Sequence, residues 1–253
     1  MKISAVIIAF NEERKIRECL SSIEWVDEII LVDNFSTDKT CEIALNYGAK
    51  VVQKKFNNFA EQKNFAVSLA SNEWVLSIDA DESISEALQR EIISLPKNNN
   101  FDAYSILRRN IIFAREFKYG GHQIDRHVRL FKKSKGHFSG LIHEKIFIGD
   151  NTRIGFLNMP LIHYSTSNIT EYIKKLNLYT DFESDNFTVD NKIFKKNDII
   201  FKPLAVFLKR YIWQRGFLDG KEGFIFYFLS AFYCFMKYSK IWEKQKGVAR
   251  KLF

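Results

Sequence analysis

Short apolar runs alternate with segments of helical periodicity through the first hundred residues, and no other feature constrains the fold as strongly. "ISAVIIAF" (3–10), "EIILVD" (28–33), "AKVVQKK" (49–55) and "EWVLSID" (73–79) have the length and branched-residue content of strands. Between them, Ile16, Cys19, Leu20 and Ile23 recur at helical spacing. "STDKTCEIALNYG" opens with hydroxyl and acidic residues and closes on Gly48, and "FAEQKNFAVSLA" supplies a third helix. Ser83 and Glu86 have capping-box spacing for a fourth helix through "EALQREIISL", which Pro96 ends. Strands joined by helices run parallel, so this half predicts a parallel α/β sheet with helices on its faces.

From Phe101 the alternation stops. "DAYSILRRNIIF", "RHVRLFKK", "HEKIFIG" and "RIGFLNMPLIHYS" predict longer, partly antiparallel strands that extend the same sheet and cover its rim, and helical spacing returns over residues 168–188. Three cysteines without metal or redox spacing suit a reducing compartment, and the apolar run at the N-terminus is too short for a secretory signal, which predicts a cytoplasmic protein. The net charge of +8 is concentrated after Lys192, among many aromatic residues. "GFIFYFLSAFYCFM" has no charge but is shorter than the roughly twenty residues of a membrane span. Flanked by lysines, arginines and tryptophan, it reads as a helix lying on an anionic membrane surface; a buried core helix or a dimer contact is the competing reading. Nothing beyond net charge points to nucleic acid.

Ligands of open α/β sheets sit at the carboxyl ends of the strands, and there the unusual residues collect. Asn11 and Glu12 end the first strand, Asp33 and Asn34 the second, and Asp79, Asp81 and Glu82 the fourth. The Asp-x-Asp of "SIDADES" reads either as a divalent-cation site of hard oxygen ligands or as a solvated acidic loop. No Gly-x-Gly-x-x-Gly follows the first strand and no P-loop exists, so dinucleotide-dependent redox chemistry is disfavoured.

"SAVIIAFNEERKIRECLSSI", "DEIILVDNFSTDKT", "FAEQKNFAVSLA" and "WVLSIDADE", in this order, resemble the family 2 glycosyltransferases with the GT-A fold. "DRHVRLFKK", "GLIHEKI" and "GFLDGKEGF" look like the branch that builds lipopolysaccharide cores and related bacterial glycans. The resemblance implies a GT-A catalytic domain over residues 1–165, with a nucleotide-binding half (1–98) and an acceptor half (99–165). A C-terminal helical, membrane-associating extension would follow over 166–253. It further implies an inverting, metal-dependent hexosyl transfer from a nucleotide-sugar, expected to be a UDP-sugar, to a lipid-linked saccharide on the inner face of the cytoplasmic membrane.

Residue roles follow from the same resemblance. Asp33 would bind the uracil or ribose side of the donor, with Phe10, Asn11 and Glu12 lining that pocket. Asp79, Ala80 and Asp81 would face the diphosphate, with Mn2+ or Mg2+ held by Asp81 before Asp79. His163 is a third candidate ligand, its alternative being an ordinary rim histidine. Lys63, beside Gln62 and Asn64, would meet phosphate or ribose unless it lies on a solvated helix face. Of Arg126 and Arg129, three residues apart on one strand, one would reach substrate while the other packs outward. The acceptor's general base would be Glu144, beside His143, in preference to Asp125. A nucleotidyltransferase and a non-catalytic membrane module on a transferase scaffold are the alternative functions.

Overall fold

The computed structural model describes residues 1–96, 100–140, 145–149, 152–189 and 195–251. Contacts divide the chain into two compact units, Met1–Arg109 with Asp125–Tyr164, and Asn110–Ile124 with Ser165–Phe253.

In the first unit, β1 (Ile3–Ala9), α1 (Ile16–Ser21), β2 (Glu28–Asp33), α2 (Thr40–Asn46), β3 (Lys50–Gln53), α3 (Phe59–Leu69) and β4 (Trp74–Ser77) follow the expected alternation. Next come β5 (Glu82–Ile84), α4 (Glu86–Ile93) and β6 (Ala103–Ile112), which continues into the second unit; there β7 (Arg115–Phe117) follows. Back in the first unit lie β8 (Arg126–Lys132), β9 (Gly136–Ser139), β10 (Lys145–Ile148), β11 (Ile154–Phe156) and β12 (Leu161–Thr166), the last of which also runs on into the second. The sheet order is β3-β2-β1-β4-β8-β6. Its first four strands are parallel and β8 is antiparallel to both β4 and β6. The α/β class and mixed, helix-flanked sheet expected from the sequence are therefore present.

Alternate residues of the parallel strands feed opposite cores, which is why the strands read as continuous apolar runs. Ala5, Ile7, Leu31 and Leu76 pack with Ile16, Leu20, Ile43, Leu88 and Ile92 of α1, α2 and α4. Val6, Ile30, Val32 and Val75 pack with Ala66 and Val67 of α3 and with Phe131 and Phe138.

Several local expectations shift. The helix α4 is capped by Ser85, whose hydroxyl accepts the Leu88 amide, and not by Ser83. Ser83 is instead inside β5, a strand concealed within the acidic motif, which pairs antiparallel with β12 in the register Glu82↔His163. Among the expected antiparallel strands, β11 runs parallel to β6. Gly48 does end α2, with a φ of 71° that only glycine adopts without strain.

The second unit holds the end of β6, its hairpin partner β7, and the helices α5 (Ile169–Val189), α6 (Asp198–Phe207) and α7 (Gly220–Lys251). A π-helical segment (Leu208–Trp213) and a 3-10 turn (Gly216–Asp219) separate α6 from α7. Ile112 and Phe117 of the hairpin form a small core with Phe226 and Tyr227, which is why residues 110–124 belong with the C-terminal helices. Lys237, Lys240 and Lys244 of α7 pair with Glu183, Asp181 and Asp185 of α5. Among the described residues no helix is long and apolar enough to cross a membrane.

Gly216 lies against the ring of fully buried Tyr227: an added Cβ would meet Tyr227 Cε2 at 2.4 Å and the Arg210 carbonyl at 2.7 Å. Gly216→Ala is expected to destabilise the second unit by about 1–3 kcal/mol through overpacking. Thermal unfolding followed by circular dichroism should show a transition several degrees lower; an unchanged transition would mean the Tyr227 packing yields freely.

Candidate active site

The carboxyl ends of β1 and β2 adjoin in the register Ala9↔Asp33, and the loops that follow them are tied together. The Ser36 hydroxyl accepts the Asn11 amide at 2.8 Å, Asn11 Oδ1 accepts the Thr37 amide at 2.8 Å, and the Glu12 amide donates to Thr40 Oγ1 at 2.8 Å. Asp33, expected to face the nucleotide, is fully buried: its Oδ2 accepts the Ser36 amide at 2.8 Å and its Oδ1 the Ser36 hydroxyl. The clasp holds Asn11 and Phe35 in the left-handed region, at φ 54° and 57°. An asparagine tolerates this conformation, whereas for phenylalanine it is strained. Phe10 and Phe35 both leave the clasp half exposed, at 53%. Sequence reasoning missed the conformation of Phe35, because nothing in "DNFSTD" announces its backbone.

The Asp-x-Asp motif occupies a tight turn after β4, closed by the Glu82 amide donating to the Asp79 carbonyl at 2.9 Å. Glu82 Oε2 in turn accepts the Asp79 amide at 3.0 Å. Asp79 and Glu82 are paired with the chain's own cations. Lys63 Nζ of α3 lies 2.7 Å from Asp79 Oδ1, and Arg129 Nη2 of β8 lies 2.7 Å from Asp79 Oδ2 and also bonds Glu82 Oε1. Lys63 is only 4% exposed, so the solvated-face reading is excluded, and Arg129 is the inward member of the arginine pair. Arg126 donates to the Leu157 carbonyl at 3.0 Å and stacks over Phe156. Burial pushes the Asp79 carboxyl up, but Arg129 and Lys63 outweigh it and hold it well below the usual carboxylate range. For Glu82, burial dominates over Arg129 and the nearby Asp79 charge adds to it, so its carboxyl is raised.

The charge chain continues outward. Arg108 lies 3.8 Å from Glu82 Oε1 and 2.8 Å from Asp125 Oδ2, and Asp125 Oδ1 lies 2.7 Å from His127 Nε2. Asp125 is thus held between a guanidinium and an imidazole. Glu144 and its neighbour His143 lie outside the described residues.

Asp81 has different company. The β5–β12 register and the Tyr164 amide, which donates to the Asp81 carbonyl at 2.9 Å, set His163 Nε2 3.6 Å from Asp81 Oδ2. Both side chains are partly exposed, at 14% for His163 and 18% for Asp81. Two donors each about 2.1 Å from one ion stand about 3 Å apart when at right angles, so this pair fits one small cation after a shift of about half an ångström. Among the described residues no group of three or more His, Cys, Asp or Glu is placed to hold a metal. The fit is therefore to an ion that takes its remaining ligands from phosphate and water, the usual habit of Mg2+. Ala80, between the aspartates, is buried.

Residues 4–158 match the family model described as "Glycosyl transferase family 2". The chain belongs to glycosyltransferase family 2. An uncharacterized glycosyltransferase of Rickettsia typhi is 33% identical over 96% of this chain and 87% of its own length. The lipopolysaccharide core biosynthesis glycosyltransferase LpsC of Rhizobium meliloti is 29% identical over 99% of this chain and 95% of its own. Among solved structures, glucosyl-3-phosphoglycerate synthase of Mycobacterium tuberculosis, in complex with Mn2+, UDP and glucosyl-3-phosphoglycerate, is 27% identical with a TM-score of 0.37. That match covers 43% of this chain and 44% of the synthase.

For this glycosyltransferase, removing Arg129 leaves two acids without their shared cation. Arg129→Met is expected to lower stability at neutral pH by about 3–5 kcal/mol, read from urea unfolding. The pH dependence has a definite sign. Asp79 titrates lower folded than unfolded, so its contribution is intact above about pH 4 and is lost as the pH falls through its depressed folded value. Glu82 works in the opposite sense, since its raised carboxyl takes up a proton first in the folded state. The penalty of Arg129→Met should therefore shrink as the solution is acidified.

Proposed function

We propose that the protein transfers a sugar from a UDP-sugar, with inversion, to a hydroxyl of a lipid-linked saccharide of the lipopolysaccharide-core kind, at an anionic membrane surface. The observation that carries the donor site is the pairing of Asp81 with His163 at the carboxyl end of β4, beside two acids already matched by Lys63 and Arg129. Asp81 and His163 would hold Mn2+ or Mg2+, and Asp79 orients the turn instead of ligating. A divalent ion bound there supplies charge neutralisation for the departing nucleoside diphosphate.

The chain's own residues do the rest. Asp33, through Ser36, fixes the loop that presents Phe35, and Phe10 and Asn11 complete the nucleotide edge, with the Glu12 amide tied into the same clasp. Lys63 and Arg129 hold the Asp79 turn in place. The acceptor oxygen attacks the anomeric carbon as the bond to the diphosphate breaks, and the hydroxyl proton passes to a base on the opposite face. Glu144 is the proposed base, and Glu144→Gln should keep donor binding while losing transfer.

Membrane contact is supported by the second unit. Ile200, Leu204, Leu208 and Ile212 recur every four residues along α6 and the π-helical segment and are 67%, 51%, 47% and 53% exposed. On α7, Phe224, Phe228 and Phe232 repeat the spacing and are exposed as well. Apolar rows of this extent are covered by a partner or by lipid, and the basic C-terminal composition favours an anionic lipid surface.

Calorimetric titration with UDP, with and without manganese, tests the donor site. Binding should require the metal and fall by about tenfold or more in Asp81→Asn and His163→Ala. Metal-dependent binding that survives both substitutions would remove these residues from the site. For the membrane, sedimentation with phosphatidylglycerol vesicles should pull down the intact protein and leave Ile200→Asp/Leu204→Asp in solution. Equal partition of the two would show that lipid does not cover this row.

A further inference from the structure

The segment "GFLDGKEGF" and the loop Lys118–Gln123 are not used in the transfer chemistry proposed above, and hydrogen bonds tie the two together within the second unit. Asp219 is 3% exposed, and its carboxylate is fully engaged. Its Oδ1 accepts the Lys118 amide at 3.0 Å, and its Oδ2 accepts the Tyr119 amide at 3.2 Å and the Tyr227 hydroxyl at 2.7 Å. Glycines let this framework close: a Cβ on Gly120 would strike the Tyr227 hydroxyl at 2.1 Å, and one on Gly223 would strike Asp219 Cβ at 2.7 Å. A buried acid that organises two backbone amides of a surface loop holds that loop in one conformation.

The surface so held is a cavity of about 340 Å3 lined by Lys118, Tyr119, Gln123, Trp213, Gln214 and Arg215. The Gly120 amide donates to the Gln214 carbonyl at 3.0 Å, and the Gln214 side-chain amide lies over Gly121, where a Cβ would come within 3.1 Å of its Oε1. Trp213 ends the π-helical segment and is 87% exposed. Arg215 adopts the left-handed conformation at φ 59°, a position where glycine is the unstrained choice. Both π-helical turns and strained non-glycine residues recur at functional sites. Among the described residues neither the Lys118 ammonium nor the Arg215 guanidinium has a carboxylate partner.

Each lining group matches part of one ligand class. An exposed indole offers an apolar platform to the C–H face of a sugar ring, paired side-chain amides donate to and accept from hydroxyls, and two uncompensated cations recognise phosphate. We propose that this cavity binds a phosphorylated saccharide. Taking that ligand to be the sugar of the acceptor rests on the transferase reading above; the binding itself does not. Ile212, the last residue of the exposed apolar row, directly precedes Trp213 in the chain, and both are exposed.

The test uses the full chain, tryptophan fluorescence and calorimetry, with glucose 6-phosphate as the probe and glucose, inorganic phosphate and phosphatidylglycerol vesicles as comparisons. Glucose 6-phosphate should bind saturably and more tightly than glucose or phosphate. Arg215→Gly and Trp213→Ala should each weaken it about tenfold or more. Arg215→Gly should melt no lower than the parent, since glycine takes a positive φ without strain, and so separates lost binding from lost folding. UDP titration should be unchanged in both variants, which distinguishes a failed cavity from a failed donor site. The proposal is overturned if glucose 6-phosphate does not bind, if Arg215→Gly leaves its binding intact, or if inorganic phosphate binds equally well without dependence on Trp213. It is equally overturned if the vesicles alone respond to Arg215, which would make the cavity a phospholipid headgroup site.

Discussion

A guanidinium buried between two carboxylates sets the layout of the catalytic unit. Arg129 is 7% exposed, and a charge so placed has to be paired by groups that cannot move away. Those groups come from different parts of the sheet. The β4–β8 register sets Arg129 at the level of the end of β4, the turn after β4 supplies Asp79, and β5 supplies Glu82. A slip of one residue in β8 would turn Arg129 to the opposite face and leave both acids uncompensated, so the ion cluster and the strand register enforce one another. Lys63 from α3 completes the balance.

The acidic motif is arranged around the same cations. Three carboxylates within four residues would repel one another, and the chain resolves this internally for Asp79 and Glu82 while setting Asp81 opposite an imidazole. The turn is therefore held in place by the chain's own groups. The clasp between the β1 and β2 loops follows the same principle with hydrogen bonds. Buried Asp33 holds Ser36, Ser36 holds Asn11, and the strained backbone at Phe35 persists because its neighbours leave it no relaxed alternative.

Much of the catalytic fold was legible because strand and helix periods differ, and four strands of the first hundred residues occur where those periods place them. The strand β5 was not, since three residues inside an acidic motif carry no period of their own. That omission also displaced the cap of α4 from Ser85 to Ser83. The candidate site was legible as a set of strand-end acids and amides, but not as pairings. Nothing in sequence links Asp79 to an arginine fifty positions away, and a lysine on a helix reads as solvated until the packing around Lys63 is known. The hairpin 110–124 was read with the preceding strands because its partners, Phe226 and Tyr227, lie about a hundred residues later.

The charge-free run of α7 shows why its two sequence readings could not be separated. Phe226 and Tyr227 are buried, while Phe224, Phe228, Phe232 and Phe235 are exposed, so a core face and an open face alternate along one uninterrupted apolar stretch. An ordinary surface helix advertises its open side with polar residues, and its hydrophobic periodicity then identifies the buried side. Here both sides are aromatic and that contrast vanishes. The open face is marked only by the exposure of Phe224, Phe228, Phe232 and Phe235. The lysines of α7 that pair with Glu183, Asp181 and Asp185 of α5 come after this run, at Lys237, Lys240 and Lys244, and so give it no polar mark.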